Sequence, residues 1–256
     1  MNKKEFLNLF KEYDEYMLSN LWNDIELCEN IEMPIFTKEF YPPLIWGKLE
    51  NRDINGLKFL AKGLNENSEK KLIMIYPKNY DLSYMEFPFI YFKINGKNKF
   101  KELYHKDFLG TIMNLGIKRE IMGDLIVKDN ICFGVILDEK YGIIKEIERV
   151  GNVSVRFEEI DQKEVPKGEF KEQIFLISSL RLDSFISAIT GLSRQKSVDE
   201  ITGGNILLNY TLIKDKNFQI KEGDIFTIKK IGKFKFENII GESKKNKLRI
   251  NVKKFI

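Results

Sequence analysis

The residues best suited to chemistry are basic and lie close together in the last third of the chain. Arg181-Leu182-Asp183 and Ser193-Arg194-Gln195-Lys196 each stand where a short helix is predicted to begin. A helix N-terminus offers backbone N–H groups and the positive end of the helix dipole, which suit phosphate. Arg donates in a planar fork matched to phosphate oxygens, whereas Lys acts as a point charge. Any one of these residues alone would be read as a surface cation, but the group predicts a surface for a polyanion.

A second basic stretch follows, and in it lysines alternate with aromatic residues. Lys229, Lys230 and Lys233 lead into Phe234 and Phe236. The alternation predicts strands with Lys on one face, and both Phe side chains are expected to be buried rather than to stack on bases. The lysines would extend a track for phosphates. Further cations continue the stretch: Lys244, Lys245, Lys247 and Arg249.

The net charge of +4 hides an asymmetry along the chain. Residues 174–256 hold 16 Lys/Arg against 8 Asp/Glu, a difference of +8. The first 173 residues hold 26 basic against 30 acidic residues, a difference of −4, and the two sums give the total. Such a contrast points to a polyanionic partner for the last segment, although a solvated lysine-rich surface is the alternative.

Lys118-Arg119 and the single histidine, His105, are secondary candidates. Lys118 and Arg119 follow Gly116 and could either bind phosphate or end a helix favourably. His105 precedes Asp107 and could serve as a general base, but no Ser or Cys nucleophile stands in a recognisable motif. A role at the start of a helix is therefore preferred for His105.

Other chemistries find little support in the sequence. Cys28 and Cys132 lie far apart and, with one His, cannot assemble the usual structural zinc site. No Gly-rich nucleotide-binding loop follows a predicted strand. No apolar run of about 18 residues or signal peptide is present. The sequence therefore predicts a cytoplasmic, reduced and monomeric protein with no catalytic residue, metal, cofactor or membrane contact.

The predicted elements divide the chain into three small modules. In residues 1–80, apolar residues from Phe6 to Leu21 recur every three or four positions and predict an amphipathic helix, and a strand is predicted at 72–76. Residues 81–165 predict strand–helix–strand–strand–helix–strand, the ferredoxin-like arrangement, which leaves one sheet face free for a ligand. The aromatic signature of RNA-recognition sheets is not matched, since 131–135 offers only Phe133.

The elements of the middle and last modules have the following predicted bounds. The middle module has strands at 89–94, 124–128, 131–137 and 153–160, and helices at 106–115 and 141–150. Polar residues 161–173 contain Pro166 and Gly168 and are interpreted as a linker. Residues 174–256 form the last module, with helices at 182–189 and 194–201 and strands at 206–209, 211–214 and 225–229. The fold class is thus α+β.

The last module resembles the RNA-binding domain named after the fourth small-subunit ribosomal protein, here the S-four domain. The resemblance covers about residues 180–229 and rests on the order and spacing of these residues: Arg181-Leu182-Asp183, Leu192-Ser193-Arg194, Lys196, Ile201, Gly204, Ile206, Leu208, Asn209 and Gly223-Asp224. Tyr210 departs from it, because the family usually has Gly there. The resemblance implies two helices packed on a small sheet, with Arg181, Asp183, Ser193, Arg194, Gln195, Lys196 and Asn209 facing structured RNA.

A second resemblance extends over about residues 70–250. The segments His105-Lys106-Asp107-Phe108-Leu109-Gly110, Leu115-Gly116-Ile117-Lys118-Arg119-Glu120 and Gly123-Asp124 are similar to the YlmH family of bacterial proteins. These have two N-terminal modules and a C-terminal S-four domain. The resemblance implies binding of ribosomal RNA or tRNA. Related small S-four proteins act on large ribosomal subunits that carry peptidyl-tRNA, so rescue of stalled complexes is a hypothesis.

Two other classes of protein were weighed. Pseudouridine synthases use a catalytic Asp in an Arg-Leu-Asp setting, which Arg181-Leu182-Asp183 matches superficially, but only 73 residues follow Asp183 and no synthase domain fits in them. A scaffold that binds proteins, with a merely solvated basic tail, would bind RNA weakly and without salt dependence. A non-enzymatic RNA-binding protein is the preferred reading.

Overall fold

The chain of the computed structural model divides into two compact units, Met1–Lys167 and Gly168–Ile256. The structure describes residues 1–11, 13–50, 52–96, 102–168, 170–209, 211–243 and 245–255. Tyr210 and Lys244, which figured in the sequence predictions, lie outside these ranges. Each unit is described by itself below.

The first unit begins with three helices on a three-stranded antiparallel sheet of order β1-β3-β2. The elements are α1 (Lys3–Leu9), α2 (Glu15–Ile31), β1 (Ile35–Tyr41), α3 (Pro43–Glu50), β2 (Leu57–Lys62) and β3 (Lys71–Pro77). Apolar faces of the helices meet one face of this sheet around Phe6, Trp22, Ile45 and Ile75, all of which are buried.

The predicted single helix through residues 6–21 is two helices. The backbone leaves the helical path after Leu9, and α2 starts afresh where the Asp14 carboxylate accepts the Met17 N–H at 2.9 Å. An Asp at this position satisfies an N–H group that has no partner within the helix. The apolar spacing therefore correctly predicted helical structure. It did not reveal that the helix is interrupted before Asp14, which caps the second helix.

The second half of the first unit is the ferredoxin-like module, and this prediction is confirmed. Its strands form a sheet of order β5-β6-β4-β8-β7, in which every pairing is antiparallel. Asp129 and Asn130 have φ angles of 51° and 63° in the turn between β5 and β6, as a tight hairpin requires. The elements are β4 (Phe89–Gly96), α4 (His105–Asn114), β5 (Met122–Lys128), β6 (Ile131–Leu137), α5 (Tyr141–Ile144), β7 (Arg149–Val150) and β8 (Val153–Ile160).

The helix predicted over residues 141–150 is much shorter than expected. Only Tyr141–Ile144 is helical, and Arg149–Val150 is a strand that pairs with Ser154 and Val153. Ile144, Ile147 and Val150 are all buried, so their spacing reflects a shared core rather than one helix.

The sheet face predicted to be free for a ligand is covered in part. Val135 and Leu137 on this face are buried together with Phe40 and Leu72, which come from β1 and β3. The two sheets of the first unit therefore share a hydrophobic layer. The uncovered part of this sheet face lies at the rim of that layer.

The second unit is a six-stranded antiparallel sheet of order β11-β10-β12-β13-β14-β9, with two helices on one face. Phe185 of the first helix stacks against Phe226 and Phe236 of the sheet, with ring centroids 4.4 and 5.9 Å apart. The elements are β9 (Phe170–Ile177), α6 (Leu182–Thr190), α7 (Arg194–Thr202), β10 (Ile206–Leu208), β11 (Thr211–Leu212), β12 (Ile225–Ile228), β13 (Gly232–Glu242) and β14 (Leu248–Phe255).

The predicted linker, residues 161–173, is correct only in part. The two units divide between Lys167 and Gly168, inside this range, but the residues on either side of the division are structured. Gln162–Glu164 is a 3₁₀ turn capped by Asp161, and β9 begins at Phe170 and pairs along its length with β14. The predicted boundary at residue 174 thus falls inside a strand. The polar composition of 161–173 misled the prediction because β9 lies at the edge of the sheet, where polar side chains reach solvent.

In the described part of the chain, no helix is long and apolar enough to cross a membrane.

Candidate RNA-binding surface

The start of α6 is fixed by backbone contacts that sequence alone did not reveal. The Leu182 and Asp183 N–H groups donate to the carbonyls of Phe218 and Lys216, at 2.9 and 3.2 Å. The Ser184 N–H donates to the Asp183 carboxylate at 2.8 Å. These N–H groups are occupied, so the expectation that they bind phosphate is corrected. A phosphate site here has to be made by side chains.

Asp183 joins the beginnings of the two helices. Its Oδ1 and Oδ2 accept hydrogen bonds from Arg181 Nε and Nη2 at 3.0 and 2.9 Å. Oδ2 also accepts from Arg194 Nε at 3.1 Å. The Asp183 side chain is 3% exposed, against 35% for Arg181 and 60% for Arg194. One buried carboxylate therefore holds two guanidinium groups, that of Arg181 partly exposed and that of Arg194 exposed. We call Arg181 and Arg194 the arginine pair.

The role predicted for Asp183 needs correction. Its carboxylate is buried and engaged, and a negative charge would repel phosphate, so it positions the arginine pair rather than contacting RNA. Burial by itself would raise the pKa of Asp183, but the hydrogen bonds and charges of both arginines outweigh it and hold the pKa below its usual range. Asp183 is thus ionised at neutral pH.

The start of α7 carries three further predicted residues. Ser193 Oγ accepts the Lys196 N–H at 3.3 Å, so this hydroxyl caps the helix as the sequence predicted. Lys196 itself is exposed, two residues after Arg194 in the first turn of α7. The Gln195 amide donates to Asp199 at 3.0 Å along the helix surface. Lys196 therefore adds an exposed cation near the start of α7.

A small cavity of about 180 Å³ lies next to Arg194 and was missed by the sequence analysis. Ser178 and Ser184 line it with their hydroxyl oxygens 3.2 Å apart, and Lys247 lines it from the loop between β13 and β14. Hydroxyl donors with a guanidinium and an ammonium suit one phosphate group. We call Ser178, Ser184, Arg194 and Lys247 the serine pocket. Residues 178 and 247 are far apart in sequence, so only the fold brings them together.

Asn209 has a structural role in the turn before β12. It has a positive φ of 46°, its amide nitrogen donates to Asp224 at 2.8 Å, and its amide oxygen accepts the Ile225 N–H at 2.9 Å. Asn tolerates this left-handed conformation better than most residues. Both amide groups therefore fix the turn before β12, and RNA contact by Asn209, which is exposed, stays a prediction.

The lysines of the second basic stretch do not share one surface. Lys229 and Lys230 are exposed in the turn between β12 and β13. Lys233 lies in β13 next to Phe234, which is buried on the helix-bearing face, so Lys233 points to the opposite face of the sheet. Its ammonium lies 4.6 Å from the ring centroid of Phe255. Lys233 therefore does not join the arginine pair on the helix face.

The secondary candidates lie in the first unit and serve different roles. Arg119 donates from Nη1 to the carbonyls of Met122 and Gly123 at 3.1 and 2.8 Å, which fastens the 3₁₀ turn Arg119–Ile121. Burial lowers the pKa of Arg119, and Asp124 and Glu120 oppose that effect. Lys118 is exposed and precedes the turn. The Lys118 carbonyl accepts the Ile121 N–H at 3.3 Å, but its side chain is the more exposed of the two.

His105 is the first residue of α4, in agreement with the preferred role at a helix start. Partial burial and the charge of Arg119 lower the pKa of His105, and Asp124 opposes them. The imidazole is consequently neutral at pH 7 and brings no positive charge to a phosphate. His105 is a weak candidate for RNA contact.

The cysteines and possible metal ligands offer no second site. Cys28 and Cys132 are free thiols and are fully buried. Among the residues that the structure describes, no group of three or more His, Cys, Asp or Glu side chains could hold a metal ion.

Residues 83–164 match the family model described as "Putative RNA-binding domain in YlmH". The matched range includes every element of the ferredoxin-like module, from β4 to β8. The resemblance to the YlmH family is confirmed. YlmH-like relatives also match beyond this domain. The chain is 27% identical, over 198 residues and 76% of each chain, to "Ribosome-associated protein quality control protein P2" of Bacillus subtilis (strain 168). A solved structure, "Cell division protein ylmH from Streptococcus pneumoniae", shows 25% identity and a TM-score of 0.47 over 60% of this chain and 94% of that one.

Proposed function

We propose that the protein binds folded RNA through the arginine pair, Lys196 and the serine pocket, as an S-four domain would. The observation that carries this proposal is the buried Asp183 carboxylate, which holds Arg181 and Arg194 with hydrogen bonds of 2.9–3.1 Å. Two guanidinium groups fixed in this way lose little side-chain entropy when they bind phosphates. The remainder of the surface adds charge and hydroxyl donors, which recognise the shape of an RNA backbone rather than a base sequence.

The RNA is ribosomal RNA or tRNA on the ribosome in this proposal. The Bacillus subtilis relative is named as a ribosome-associated quality control protein, which supports a ribosomal setting for this chain. The charge of residues 174–256, +8 by count, supports attraction to a particle rich in phosphate. We place the action on the large subunit, in the rescue of stalled peptidyl-tRNA complexes.

The mechanism is binding without covalent chemistry. Asp183, the one residue that resembles a catalytic aspartate of pseudouridine synthases, is 3% exposed and engaged with both arginines. An acid that must attack a base cannot act from that position without breaking both ion pairs. The RNA-modifying alternative is disfavoured on this ground.

Sedimentation of the tagged protein in a bacterial lysate tests the ribosomal setting. We expect the protein to migrate with free large subunits at low salt and to leave them as salt rises. The Arg181→Ala/Arg194→Ala variant should stay at the top of the gradient. Arg52→Ala/Lys78→Ala is the matched control, since it removes two exposed cations outside the second unit and should migrate like the natural protein.

A protein that stays at the top of the gradient in both salts contradicts the ribosomal setting. Free tRNA or another small RNA would then be the partner to test. Equal migration of the arginine variant and the control would contradict the assignment of the surface.

A further inference from the structure

A pocket of about 420 Å³ lies in the first unit, at the rim of the layer between its two sheets. We call it the aromatic pocket. Its lining includes Lys62, Phe87, Phe89, Tyr91, Asp161 and Gln162. Phe87, Phe89 and Tyr91 are alternate residues along the chain, and their side chains lie on one side of the pocket. The centroids of neighbouring rings are 5.5 and 5.3 Å apart. All three rings are only partly buried, so each packs on the core and presents a remaining surface to the pocket.

One polar group of the residues that line the pocket has no partner in the part of the fold that the structure describes. The Tyr91 hydroxyl is buried and has no hydrogen-bond partner among the described residues. Burial and the nearby Asp161 carboxylate raise the pKa of Tyr91 to about 12, so the hydroxyl keeps its proton at neutral pH. A buried hydroxyl without a partner costs free energy, which a ligand with an acceptor can recover.

Lys62 adds a cation at the aromatic surface. It is the last residue of β2, and its ammonium lies 5.9–6.0 Å from the ring centroids of Phe87, Phe89 and Tyr91. These distances are at the outer limit of cation–π contact, so the ammonium is held near the rings without tight contact. The pocket is therefore composite, because β2 supplies the cation and β4 supplies two of the rings.

We propose that the aromatic pocket holds one unpaired base of an RNA strand. A volume of about 420 Å³ is in the range of small-ligand sites. Partly exposed rings offer the stacking surface that unpaired bases use. Tyr91 and Gln162 provide donors and an acceptor for the edge of the base.

The charges at the pocket favour a base over a phosphate-rich ligand. Glu86 and Asp161 also line it, so Lys62 is the one cation among its described lining residues and is outnumbered by carboxylates. A free nucleoside triphosphate would bring several negative charges to these carboxylates. A base within a strand can enter while its phosphates stay outside the pocket.

This inference rests on the proposed function in taking RNA as the partner, but its site is separate. The pocket belongs to Met1–Lys167, whereas the arginine pair belongs to Gly168–Ile256. Phe87, Phe89, Tyr91, Asp161 and Gln162 also fall within residues 83–164, which match the RNA-binding-domain model. We infer two modes of contact, one for a folded RNA backbone and one for an unpaired base.

Fluorescence anisotropy with two labelled RNAs separates the two sites in the full chain. The first probe is a single-stranded pentanucleotide, which is too short to fold, and the second is a stable hairpin with no unpaired bases beyond a tight loop. Tyr91→Leu keeps an apolar side chain but removes the ring and the hydroxyl, and should weaken pentanucleotide binding about tenfold or more. Tyr91→Phe should weaken it about threefold through the lost hydroxyl alone.

Tyr84→Leu is the matched control, because Tyr84 is 93% exposed and does not line the pocket. It should leave pentanucleotide binding unchanged, and Arg181→Ala/Arg194→Ala should weaken the hairpin far more than the pentanucleotide. Equal affinity of the pentanucleotide for Tyr91→Leu and for the natural protein would overturn the proposal. Competition by adenosine monophosphate as strong as by the pentanucleotide would also overturn it, in favour of a free nucleotide.

Failure of the proposed function would look different. In that case Arg181→Ala/Arg194→Ala would bind the hairpin as tightly as the natural protein does. The Tyr91 variants would still bind the pentanucleotide more weakly, which would support the aromatic pocket alone.

Discussion

Arg194 Nε donates to Asp183 Oδ2 at 3.1 Å, across 11 residues of sequence and from one helix start to the other. The same oxygen accepts from Arg181 Nη2 at 2.9 Å. The negatively charged Asp183 therefore fixes the positions of two arginines on a basic surface. Removing it should weaken RNA binding even though the surface becomes more positive.

Asp183→Asn tests this positioning role. Charge alone predicts tighter RNA binding, whereas loss of the fixed arginine geometry predicts affinity about threefold to tenfold lower. Titration of a labelled RNA hairpin gives the comparison. The control is Asp199→Asn, which removes a charge from the exposed surface of α7, and it should leave affinity unchanged or slightly raised. Tighter binding by both variants would show that Asp183 acts only through its charge.

The stability that the natural protein gains over the Asp183→Asn variant should depend on pH in a defined way. Because the folded-state pKa of Asp183 is below its ordinary value, about 3.9, its ionised form stabilises the fold. That contribution is complete above the ordinary pKa and is lost as the pH falls through the folded-state pKa. At pH 5–7 we expect the natural protein to be more stable than the variant by about 1–2 kcal/mol in the free energy of unfolding. This figure already allows for the solvent exposure of the arginines.

Chemical denaturation of both proteins from pH 7 to pH 3 measures this difference. It should shrink below about pH 4 as Asp183 in the natural protein becomes protonated. A difference that stays constant down to pH 3 would mean that the ionised carboxylate is not the stabilising group.

The two thiols should be unreactive in the folded protein. Burial raises the pKa of Cys28 to about 11, against a smaller opposing effect of the Ile35 backbone, and burial also raises the pKa of Cys132. The thiolate is the reactive form, and neither sulfur is accessible. A colorimetric thiol reagent at pH 8 should detect no thiol before denaturation and both thiols after it. Rapid modification of the native protein would contradict the burial of Cys28 and Cys132.

Gly134 in β6 is a packing position of the ferredoxin-like sheet. An added Cβ would collide with the Phe92 ring and approach Leu125 Cδ2 to 2.6 Å. Gly134→Ala should therefore lower the free energy of unfolding by about 1–3 kcal/mol, as overpacking does. Gly142→Ala is the control, because nothing lies within 4 Å of its Cβ position in α5 and Ala favours a helix. Thermal unfolding should separate the two variants, and equal midpoints would contradict the packing.

Much of the fold could be predicted because local signals agreed with tertiary pairing. The bounds of β6 and β8 are as predicted, β8 from its alternation and β6 from the turn pair Asp129-Asn130 that precedes it. The prediction of a helix at 141–150 was wrong because β7 depends on pairing with β8, and no local pattern encodes that pairing. The edge strand β9 was not predicted for a similar reason, because its partner β14 is far away in the sequence.

The candidate site was predictable in its residue types but not in its geometry. Arg181, Arg194 and Lys196 could be found from helix starts and charge. The burial of Asp183 could not, because it depends on two arginines that the fold brings to one carboxylate. Alternation placed Lys233 opposite Phe234, but only the structure reveals which face of the sheet the helices cover.

The salt dependence of RNA affinity tests the central claim most directly. For about five phosphate contacts, the logarithm of the association constant should fall against the logarithm of salt concentration with a slope of roughly −4. Arg181→Ala/Arg194→Ala should weaken hairpin binding and make that slope shallower by about 2, one for each lost phosphate contact. Arg52→Ala/Lys78→Ala should retain the natural slope. An arginine variant that is folded, by circular dichroism, and keeps both the affinity and the slope of the natural protein would contradict the claim that the arginine pair binds RNA.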